Sequence, residues 1–316
     1  RGGKKRLRLN AVSLIFQVFF ICDVMLSSTL SLALFLAVQT SSDAQTLMSG
    51  YDEELALRLV NYAGASYCAG QKAVVDWTCY ACKKVPGFQD ITSVHDPKTD
   101  GRGIVGFDPV LGARVVAFMG TNANIKTWID DLLAMELDPY PDCKNCSVHK
   151  GFYNTYKGLR EQVFKALQAL PAGKTYITGH SLGAALASFC TLDLLDSRNY
   201  HTDSVITVGQ PRVGNPAFAN YFDSKGISHY RVTHHRDPVP HLPPEGHAYR
   251  HMSSEVYYKD ARKSGPTKVC SGQEDAGCSD QFDENLIFIT DHWEYLKFMF
   301  AVDVLSCTLQ DDTVVV

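Results

Sequence analysis

This 316-residue sequence contains no internal repeat, no low-complexity tract and no evident linker between domains. The first absence excludes a repeat array, and the second excludes a largely disordered chain. After its first ten residues the chain also has no block of basic residues, and its formal net charge is −4. An acidic chain without a block of basic residues is a poor binder of nucleic acid, so we expect no nucleic-acid partner. The remaining composition is typical of one domain with a large core.

The N-terminal segment has the composition of a secretory signal. Basic residues and no acidic ones occur in Arg1–Asn10, and a nearly continuous apolar run follows over Ala11–Val38. The small residues of Ser42-Asp43-Ala44 come next, which completes the order of regions in a signal peptide. The apolar run is long enough to span a bilayer, but Asp23 near its middle disfavours a stable span. We therefore expect residues 1–44 to be a cleaved signal peptide and the protein to be secreted. A retained membrane anchor is the alternative.

Ten cysteines are many for a cytosolic enzyme of this size. Cys22 lies in the N-terminal segment, and the apolar run around Cys190 predicts a buried free thiol. The other eight, behind a secretory signal, predict four disulfides, although spacing alone does not give their pairing. Zinc binding is the alternative, because two C-x-x-C pairs have ligand spacing, but an oxidising compartment favours disulfides. The eight are Cys68, Cys79, Cys82, Cys143, Cys146, Cys270, Cys278 and Cys307.

Residues 179–183, Gly-His-Ser-Leu-Gly, have the pattern G-x-S-x-G. The β-branched and aromatic run Lys174–Thr178 before it predicts a buried strand, and Ala184–Leu195 after it predicts a helix that packs closely on a sheet. By itself the pattern is also consistent with an ordinary glycine-rich turn, but this context is that of a nucleophile elbow. We therefore predict Ser181 as a nucleophile, with the backbone amide of Leu182 as a donor to the oxyanion.

A serine nucleophile needs a base and an acid, which follow it in the chain order Ser, Asp or Glu, His in elbow hydrolases. The predicted strand His229–Thr233 is followed closely by Asp237, at the sheet edge where such sites form. Asp203 precedes a strand and Asp223 lies in a helical segment, so both are poorly placed. An Asp-Pro turn is the structural alternative for Asp237. We predict Asp237 as the acid.

Four histidines downstream are candidate bases: His241, His247, His251 and His292. His241 is too near Asp237 in the chain to fold back onto it. His247 and His251 have no strand ahead of them and are predicted to be surface residues. His292 follows an apparent strand, residues 286–290, and precedes a predicted helix from Trp293 to Phe300, so we predict it as the base.

A second oxyanion donor is predicted at the end of another strand. Residues 113–119 are apolar and β-branched except for Arg114, and they run into Gly120-Thr121. We expect the backbone amide of Thr121, together with that of Leu182, to bind the developing oxyanion, and the Thr121 hydroxyl to add a third bond. An ordinary glycine turn is the alternative.

Taken together, the chain resembles the filamentous-fungal triacylglycerol lipases, also called class 3 lipases, over about residues 51–307. The resemblance implies an α/β fold of the α/β-hydrolase type, with a mostly parallel central sheet flanked by helices and a helical lid. It places the family's catalytic residues on Ser181, Asp237 and His292, and its side-chain oxyanion residue on Thr121. The matching segments are Phe118–Thr121, Trp128–Leu132, Val148–Phe152, Gly179–Gly183, Gly209–Asn215 and Asp237–Pro244.

The resemblance also bears on the disulfides and on two departures. It implies the pairs Cys68–Cys307 and Cys143–Cys146, which leaves Cys79–Cys82 and Cys270–Cys278 by elimination. Met119 stands where the family often has arginine. The insertion that holds Cys270 and Cys278 looks specific to this lineage and lies before His292, where it is expected to reshape the rim of the pocket.

The lid is predicted just after the oxyanion residue. Ile125, Trp128, Ile129 and Leu132 recur with the spacing of one helix face. A surface helix packed permanently on the core is the alternative. Because the segment directly follows the oxyanion strand, and because of the family resemblance, we expect an interfacial lid that exposes this apolar face on a lipid surface.

These features predict a secreted serine carboxylester hydrolase, a triacylglycerol lipase acting at lipid–water interfaces without cofactor or metal. A phospholipase A1 or a feruloyl esterase is the enzymatic alternative. A lipase-like binding protein is the non-enzymatic one, which the presence of all three triad residues disfavours. We expect residues 45–316 to form a single lipase domain, a lipid ester as substrate and transient contact of the lid with lipid. A monomer is favoured, although the sequence does not establish the oligomeric state.

Overall fold

Twelve strands are found in this computed structural model, which describes residues 50–121, 135–137, 139–198, 200–282 and 289–308. Those of the central sheet are β1 Gln89–Asp96, β2 Gly101–Asp108, β3 Ala113–Phe118, β6 Lys174–His180, β7 Ser204–Val208, β8 His229–His234, β9 Glu255–Tyr258 and β10 Lys268–Val269. Two short hairpins hold the others, namely β4 Met135–Leu137 with β5 Ser147–His149, and β11 Glu294–Tyr295 with β12 Phe298–Met299.

The central sheet has eight strands in the order β1-β2-β3-β6-β7-β8-β9-β10. Its middle is parallel from β3 through β6, β7 and β8 to β9. The edges β1–β2–β3 and β9–β10 are antiparallel. Strand β7 is buried along its whole length, as expected for a parallel strand covered on both faces. The prediction of a mostly parallel α/β sheet is therefore confirmed.

Helices cover this sheet, and the described residues from Asp52 onwards form one compact unit. Within the described residues the helices are α1 Glu53–Ala65, α2 Lys72–Val75, α3 Lys150–Ala169, α4 Leu182–Arg198, α5 Pro216–Ser224 and α6 Phe300–Thr308. Helices α3 and α4 share one apolar core with the sheet, whose buried members include Val116, Tyr156, Ile177 and Phe189. Among the described residues, no helix is both long enough and apolar enough to cross a membrane.

Local sequence explains where several helices begin. Asp52 caps α1 by accepting a hydrogen bond from the amide of Leu55 at 3.0 Å. Asn215 caps α5 by accepting one from the amide of Phe218 at 3.0 Å, with a proline as the first helical residue. A cap that satisfies a free amide is typically worth about 1 kcal/mol. Helix α5 lies between the parallel strands β7 and β8, so the Asn215 cap helps to set one crossover connection of the sheet.

The cysteines pair in the way that the resemblance implies. The structure contains the disulfides Cys68–Cys307, Cys79–Cys82, Cys143–Cys146 and Cys270–Cys278. Cys190 is free and buried, as predicted. Zinc binding by the two C-x-x-C pairs needs thiolates. In this structure the two sulfurs of each pair are instead bonded to each other in a disulfide.

One region differs from the expectation. Residues 293–300 were expected to be helical, but Glu294–Tyr295 and Phe298–Met299 form a hairpin, and α6 begins only at Phe300. The chain reverses at Leu296 and Lys297, which both have positive φ, at 49° and 63°. Two successive residues of positive φ make the turn that matches the twist of a hairpin. Of the predicted strand before His292, Ile289 and Thr290 lie in a turn, and residues 286–288 lie outside the described residues.

Candidate active site

The elbow between β6 and α4 is tight enough to require both of its glycines. A Cβ on Gly179 would lie 2.2 Å from the carbonyl oxygen of Gly183, and a Cβ on Gly183 would lie 2.2 Å from that of Phe118. Ser181, at the apex, has a φ of +59°, which a non-glycine residue rarely adopts. Strain of this kind persists where the surrounding structure enforces it, often at functional sites. The predicted strand and helix are both present, and the amide of Leu182 lies at the N-terminus of α4.

Asp237 and His292 form a buried pair. His292 Nδ1 lies 2.8 Å from Asp237 Oδ2 and 3.0 Å from Oδ1, and the two side chains are 0% and 1% exposed. The other bonds of the carboxylate come from the amide of Val239, at 2.8 Å from Oδ1, and from the Tyr295 hydroxyl, which donates to Oδ2. Asp237 follows β8 as predicted, so the structure brings the predicted acid and the predicted base together.

The elbow lies beside this pair. The rings of His180 and His292 are 4.4 Å apart. The amide of Ser181 donates to the carbonyl of Val208 at 3.1 Å, and the next residue, Gly209, touches both members of the pair. A Cβ on Gly209 would lie 3.1 Å from Asp237 Oδ2 and 3.1 Å from His292 Cε1, and the φ of this residue is +60°, so glycine is favoured there.

Two atoms at this edge of the sheet carry no hydrogen bond. Ser181 Oγ and His292 Nε2 are both buried, and neither has a partner in this structure of the described residues. Ser181 itself is 1% exposed. Buried polar atoms normally have partners, and an exception often marks a functional group. The hydroxyl and the imidazole nitrogen that a nucleophilic mechanism needs are therefore uncommitted here.

His180, the variable residue of the motif, is a functional neighbour that sequence reasoning missed. Its ring stacks on Phe300 at 3.9 Å, and its Nε2 lies 2.8 Å from the backbone oxygen of His292. Burial, aided by the nearby His292, lowers the pKa of His180 well below 6.5, so the ring is neutral. Because a carbonyl only accepts, Nε2 carries the proton, and Nδ1 accepts from the Tyr67 hydroxyl at 2.7 Å. The bond from His180 Nε2 holds the backbone of His292, the predicted base.

Tyr295 was also missed, because a helix was expected there. Its side chain is fully buried, and it donates to Asp237 from the hairpin β11–β12. Burial, together with the negative charge of Asp237, raises the pKa of Tyr295 well above 10, so the hydroxyl keeps its proton. The sequence offered one general signal, namely that the hydroxyl of a buried tyrosine needs a hydrogen-bond partner.

The predicted oxyanion residue Thr121 lies near the elbow. It follows Gly120, where an added Cβ would lie 3.1 Å from Ser181 Cβ and 2.8 Å from the carbonyl oxygen of His180. Strand β3 thus ends against the elbow, and Met119 is buried beside it. The predicted lid residues Ile125, Trp128, Ile129 and Leu132 lie outside the described residues.

Of the histidines set aside earlier, His251 differs from the expectation, and the side chain of His247 lies outside what the structure describes. His251 was predicted to be a surface residue, but it is 2% exposed, and its Nε2 lies 2.7 Å from the carbonyl oxygen of Pro240. The prediction was wrong because the polar residues around His251 pack against a loop that the sequence does not reveal. His241 is buried as well.

Comparison with known proteins gives the family of this chain. The model of the family "Lipase (class 3)" matches residues 115–247. A lipase of Rhizomucor miehei is 31% identical over 250 residues, covering 77% of this chain and 67% of that protein. A secreted mono- and diacylglycerol lipase of Penicillium cyclopium is 30% identical over 213 residues, covering 65% of this chain and 68% of that protein.

Rhizopus niveus supplies both a sequence and a solved structure. Its lipase sequence is 33% identical over 261 residues, covering 78% of this chain and 64% of that protein, so the chain spans about two thirds of the length of these curated relatives. The structure of lipase II from the same organism superimposes with a TM-score of 0.70 at 31% identity, covering 78% of this chain and 95% of that chain. This chain belongs to the class 3 lipase family of carboxylic ester hydrolases.

Proposed function

We propose that this protein is a secreted lipase that hydrolyses acylglycerol esters, with Ser181 as nucleophile, His292 as base and Asp237 as the acid that orients the base. The observation that carries the proposal is the buried pair of His292 Nδ1 and Asp237 Oδ2, 2.8 Å apart, beside a strained serine elbow. Family membership supports ester hydrolysis, and the names of the relatives support acylglycerols as substrates.

The proposed reaction runs in two halves. Ser181 Oγ attacks the ester carbonyl while its proton passes to His292 Nε2, and the resulting imidazolium is stabilised by the Asp237 carboxylate at Nδ1. Collapse of the tetrahedral intermediate breaks the bond to the alcohol, which leaves with the proton from Nε2. A water molecule, deprotonated by His292, then attacks the acyl-enzyme, and the fatty acid leaves as Ser181 regains its proton.

The developing negative charge needs donors that are already in place. The amide of Leu182, at the start of α4, is aided by the helix dipole, and Thr121 follows the strand end that packs against Ser181. We assign the oxyanion to these two residues. Loss of one such donor typically costs about 3 kcal/mol of transition-state stabilisation.

Access to the site supports an opening step. Because Ser181 is only 1% exposed, an ester carbonyl reaches its hydroxyl only after a rearrangement. We propose that the segment from Ile125 to Leu132 is the lid that moves, since its apolar spacing suits a lipid surface. Trp128→Ser is then expected to lower activity on emulsified substrate while leaving activity on a dissolved ester nearly unchanged.

A substrate panel tests the proposal. Emulsified triacylglycerol, diacylglycerol, phosphatidylcholine, a feruloyl ester and p-nitrophenyl butyrate are compared for the wild-type protein and Ser181→Ala. We expect hydrolysis of acylglycerols above the other lipids, and a loss of several orders of magnitude in Ser181→Ala with unchanged circular dichroism. Preference for phosphatidylcholine or for the feruloyl ester would assign one of the enzymatic alternatives. Near wild-type turnover by Ser181→Ala would contradict the proposed nucleophile.

Secretion is proposed on the signal-like residues 1–44, the four disulfides and the secreted relative from Penicillium cyclopium. Residues 45–316 are proposed to be the mature lipase domain. N-terminal sequencing of the protein from culture medium tests both statements. A mature start near residue 45 is expected, and a cell-bound protein with the segment intact would contradict them.

A further inference from the structure

The loop that follows the proposed acid is held by hydrogen bonds to its backbone. We call residues 237–243 the acid loop. Four consecutive carbonyl groups in it accept bonds from outside the loop, and only two residues supply these bonds, Arg212 and His251. The bonds are His251 Nε2 to Pro240 O at 2.7 Å, Arg212 Nη1 to His241 O at 2.7 Å and to Pro243 O at 3.1 Å, and Arg212 N to Leu242 O at 2.7 Å.

Both of these residues are bound in turn by one carboxylate, that of Glu274. Its two oxygens lie 3.0 Å from Nε and 3.1 Å from Nη2 of Arg212, in a bidentate pair. The Oε1 atom also accepts the amide of His251 at 2.8 Å. The Arg212 and Glu274 side chains are 4% and 14% exposed, so water does not replace these bonds freely. Burial alone acts to raise the pKa of Glu274, but the adjacent His251 and Arg212 outweigh it and lower the pKa to about 2.

Glu274 reaches this position from the insertion closed by the Cys270–Cys278 disulfide. The residue before it, Gln273, makes three hydrogen bonds of its own. Its backbone oxygen accepts from Arg231 Nη2 at 3.3 Å, and its side-chain nitrogen donates to Asp223 Oδ2 at 2.8 Å and to Asn220 Oδ1 at 3.0 Å. The insertion is therefore hydrogen-bonded to the rest of the protein next to Glu274, and it is not a free surface loop.

We propose that Glu274 is a positioning residue, which orients Arg212 and His251 so that the acid loop presents the Asp237 carboxylate to His292. Without Glu274 the buried guanidinium of Arg212 would lose the carboxylate that is bonded to it, and it would turn toward solvent and release the carbonyls of His241 and Pro243. A misplacement of about 1 Å in a catalytic group can cost on the order of 100-fold in rate. This inference rests on the proposed function, and it gives the insertion a role in catalysis.

The test compares Glu274→Ala, Glu274→Gln and a matched control, Glu245→Gln. Glu245 pairs with Arg250 at 2.9 Å, but both side chains are exposed, at 45% and 40%. Two quantities are measured at 20 °C. Hydrogen exchange of the acid loop reports its order, because the amides of Asp237, His241 and Leu242 bond within residues 234–242. The kcat and KM on p-nitrophenyl butyrate report its effect on the reaction.

We expect faster exchange confined to the acid loop and a kcat lowered about 10-fold or more in Glu274→Ala, with KM little changed. The exchange rates and the kcat of Glu274→Gln should lie between those of the wild type and those of Glu274→Ala, since its amide oxygen still accepts from His251 and from Arg212. The control should match the wild type. Unchanged exchange and kcat in both Glu274 variants would overturn the inference, and so would faster exchange spread evenly over the whole chain. Exchange needs no turnover, so a wild-type protein without esterase activity would contradict the proposed function separately.

Discussion

At the scale of single residues, the carboxylate of Asp237 is surrounded by donors from three directions. The imidazole of His292, the amide of Val239 and the hydroxyl of Tyr295 all bond to it. Together these donors fix the plane of the carboxylate, which in turn sets the direction of the imidazole. Two of these donors, His292 and Tyr295, are more than fifty residues away in the chain, so the Asp-Pro sequence context does not reveal them.

Tyr295→Phe is expected to lower kcat/KM on a dissolved ester about 10-fold, because Asp237 loses a buried donor while the ring still fills its place. Enzyme kinetics with p-nitrophenyl butyrate measure the effect. Tyr200→Phe is the control, since its hydroxyl donates to the backbone oxygen of Leu167 at 3.5 Å and not to a residue of the proposed triad. Equal rates for wild type and Tyr295→Phe would show that this bond has no role in catalysis.

A second residue-scale prediction concerns pH and Asp303, a buried carboxylate in α6. Burial raises its pKa from 3.8 to about 6, even though its Oδ1 accepts from the amide of Ala81 at 3.2 Å. The folded state therefore binds a proton that the unfolded state has lost, and the free energy of unfolding falls as the pH rises from about 4 to about 6. The contribution is about 3 kcal/mol or less.

Asp303→Asn should remove this part of the pH dependence and raise the free energy of unfolding at pH 7.5, because the amide carries no charge at any pH and its oxygen still accepts from Ala81. Urea unfolding of both proteins at pH 4.5 and pH 7.5 measures the difference. If the free energy of unfolding changes by the same amount between these two pH values in the wild type and in the variant, the raised pKa of Asp303 is contradicted.

At the scale of elements, the site depends on how closely β3, β6 and α4 approach one another at the elbow. This approach was predictable, since the β-branched run, the glycine pair and the small residues of α4 are adjacent in sequence and agree with each other. The hairpin β11–β12 was not predictable in the same way. Its turn places non-glycine residues at positive φ, and it is held by distant contacts, such as the amide of Lys297 with the oxygen of Ala261 at 2.7 Å.

The predicted base lies against the predicted acid, although the elements around it differ from the expectation. His292 lies in the 3₁₀ turn Asp291–Trp293 and not between a strand and a helix. The distant bonds of His180, Tyr295 and Glu274 had no local signal, because each joins residues far apart in the chain. Local patterns therefore indicated the sheet and the elbow, whereas the contacts that support the proposed triad came only from the structure.

Gly183→Ala tests the close approach of these elements. The added Cβ would lie 2.2 Å from the carbonyl oxygen of Phe118, a backbone atom that can move only with its strand. We expect a loss of stability of several kcal/mol or a failure to fold, measured as soluble yield and thermal unfolding. Gly246→Ala is the control, because nothing lies within 4 Å of its Cβ position. Equal stability of the two variants would show that the elbow tolerates a wider spacing.

At the scale of the whole molecule, the Cys68–Cys307 disulfide joins residues separated by 239 positions. It ties the end of α1 and its following turn to α6, and through Phe300 this helix supports the ring of His180. A covalent bond across so much of the chain lowers the entropy of the unfolded state. In the chain-entropy model this raises the free energy of the unfolded state by about 5 kcal/mol.

Replacing both Cys68 and Cys307 by serine should therefore lower the free energy of unfolding by several kcal/mol, while the folded protein keeps its esterase activity at 20 °C. The same replacement at Cys79 and Cys82, which are only three positions apart, should cost less. Urea unfolding of the two double variants measures both effects. The reverse order of stabilities would contradict the dependence on loop length.

The central claim is that Ser181 is activated by His292 and Asp237, and covalent trapping tests it most directly. Folded protein is treated with diethyl p-nitrophenyl phosphate, the released p-nitrophenolate is counted, and the adduct is mapped by peptide mass spectrometry. The account predicts one equivalent released per protein, with the diethylphosphoryl group on Ser181, and labelling slowed by orders of magnitude in His292→Ala. An adduct on another residue, or equally rapid labelling of Ser181 without His292, would contradict it.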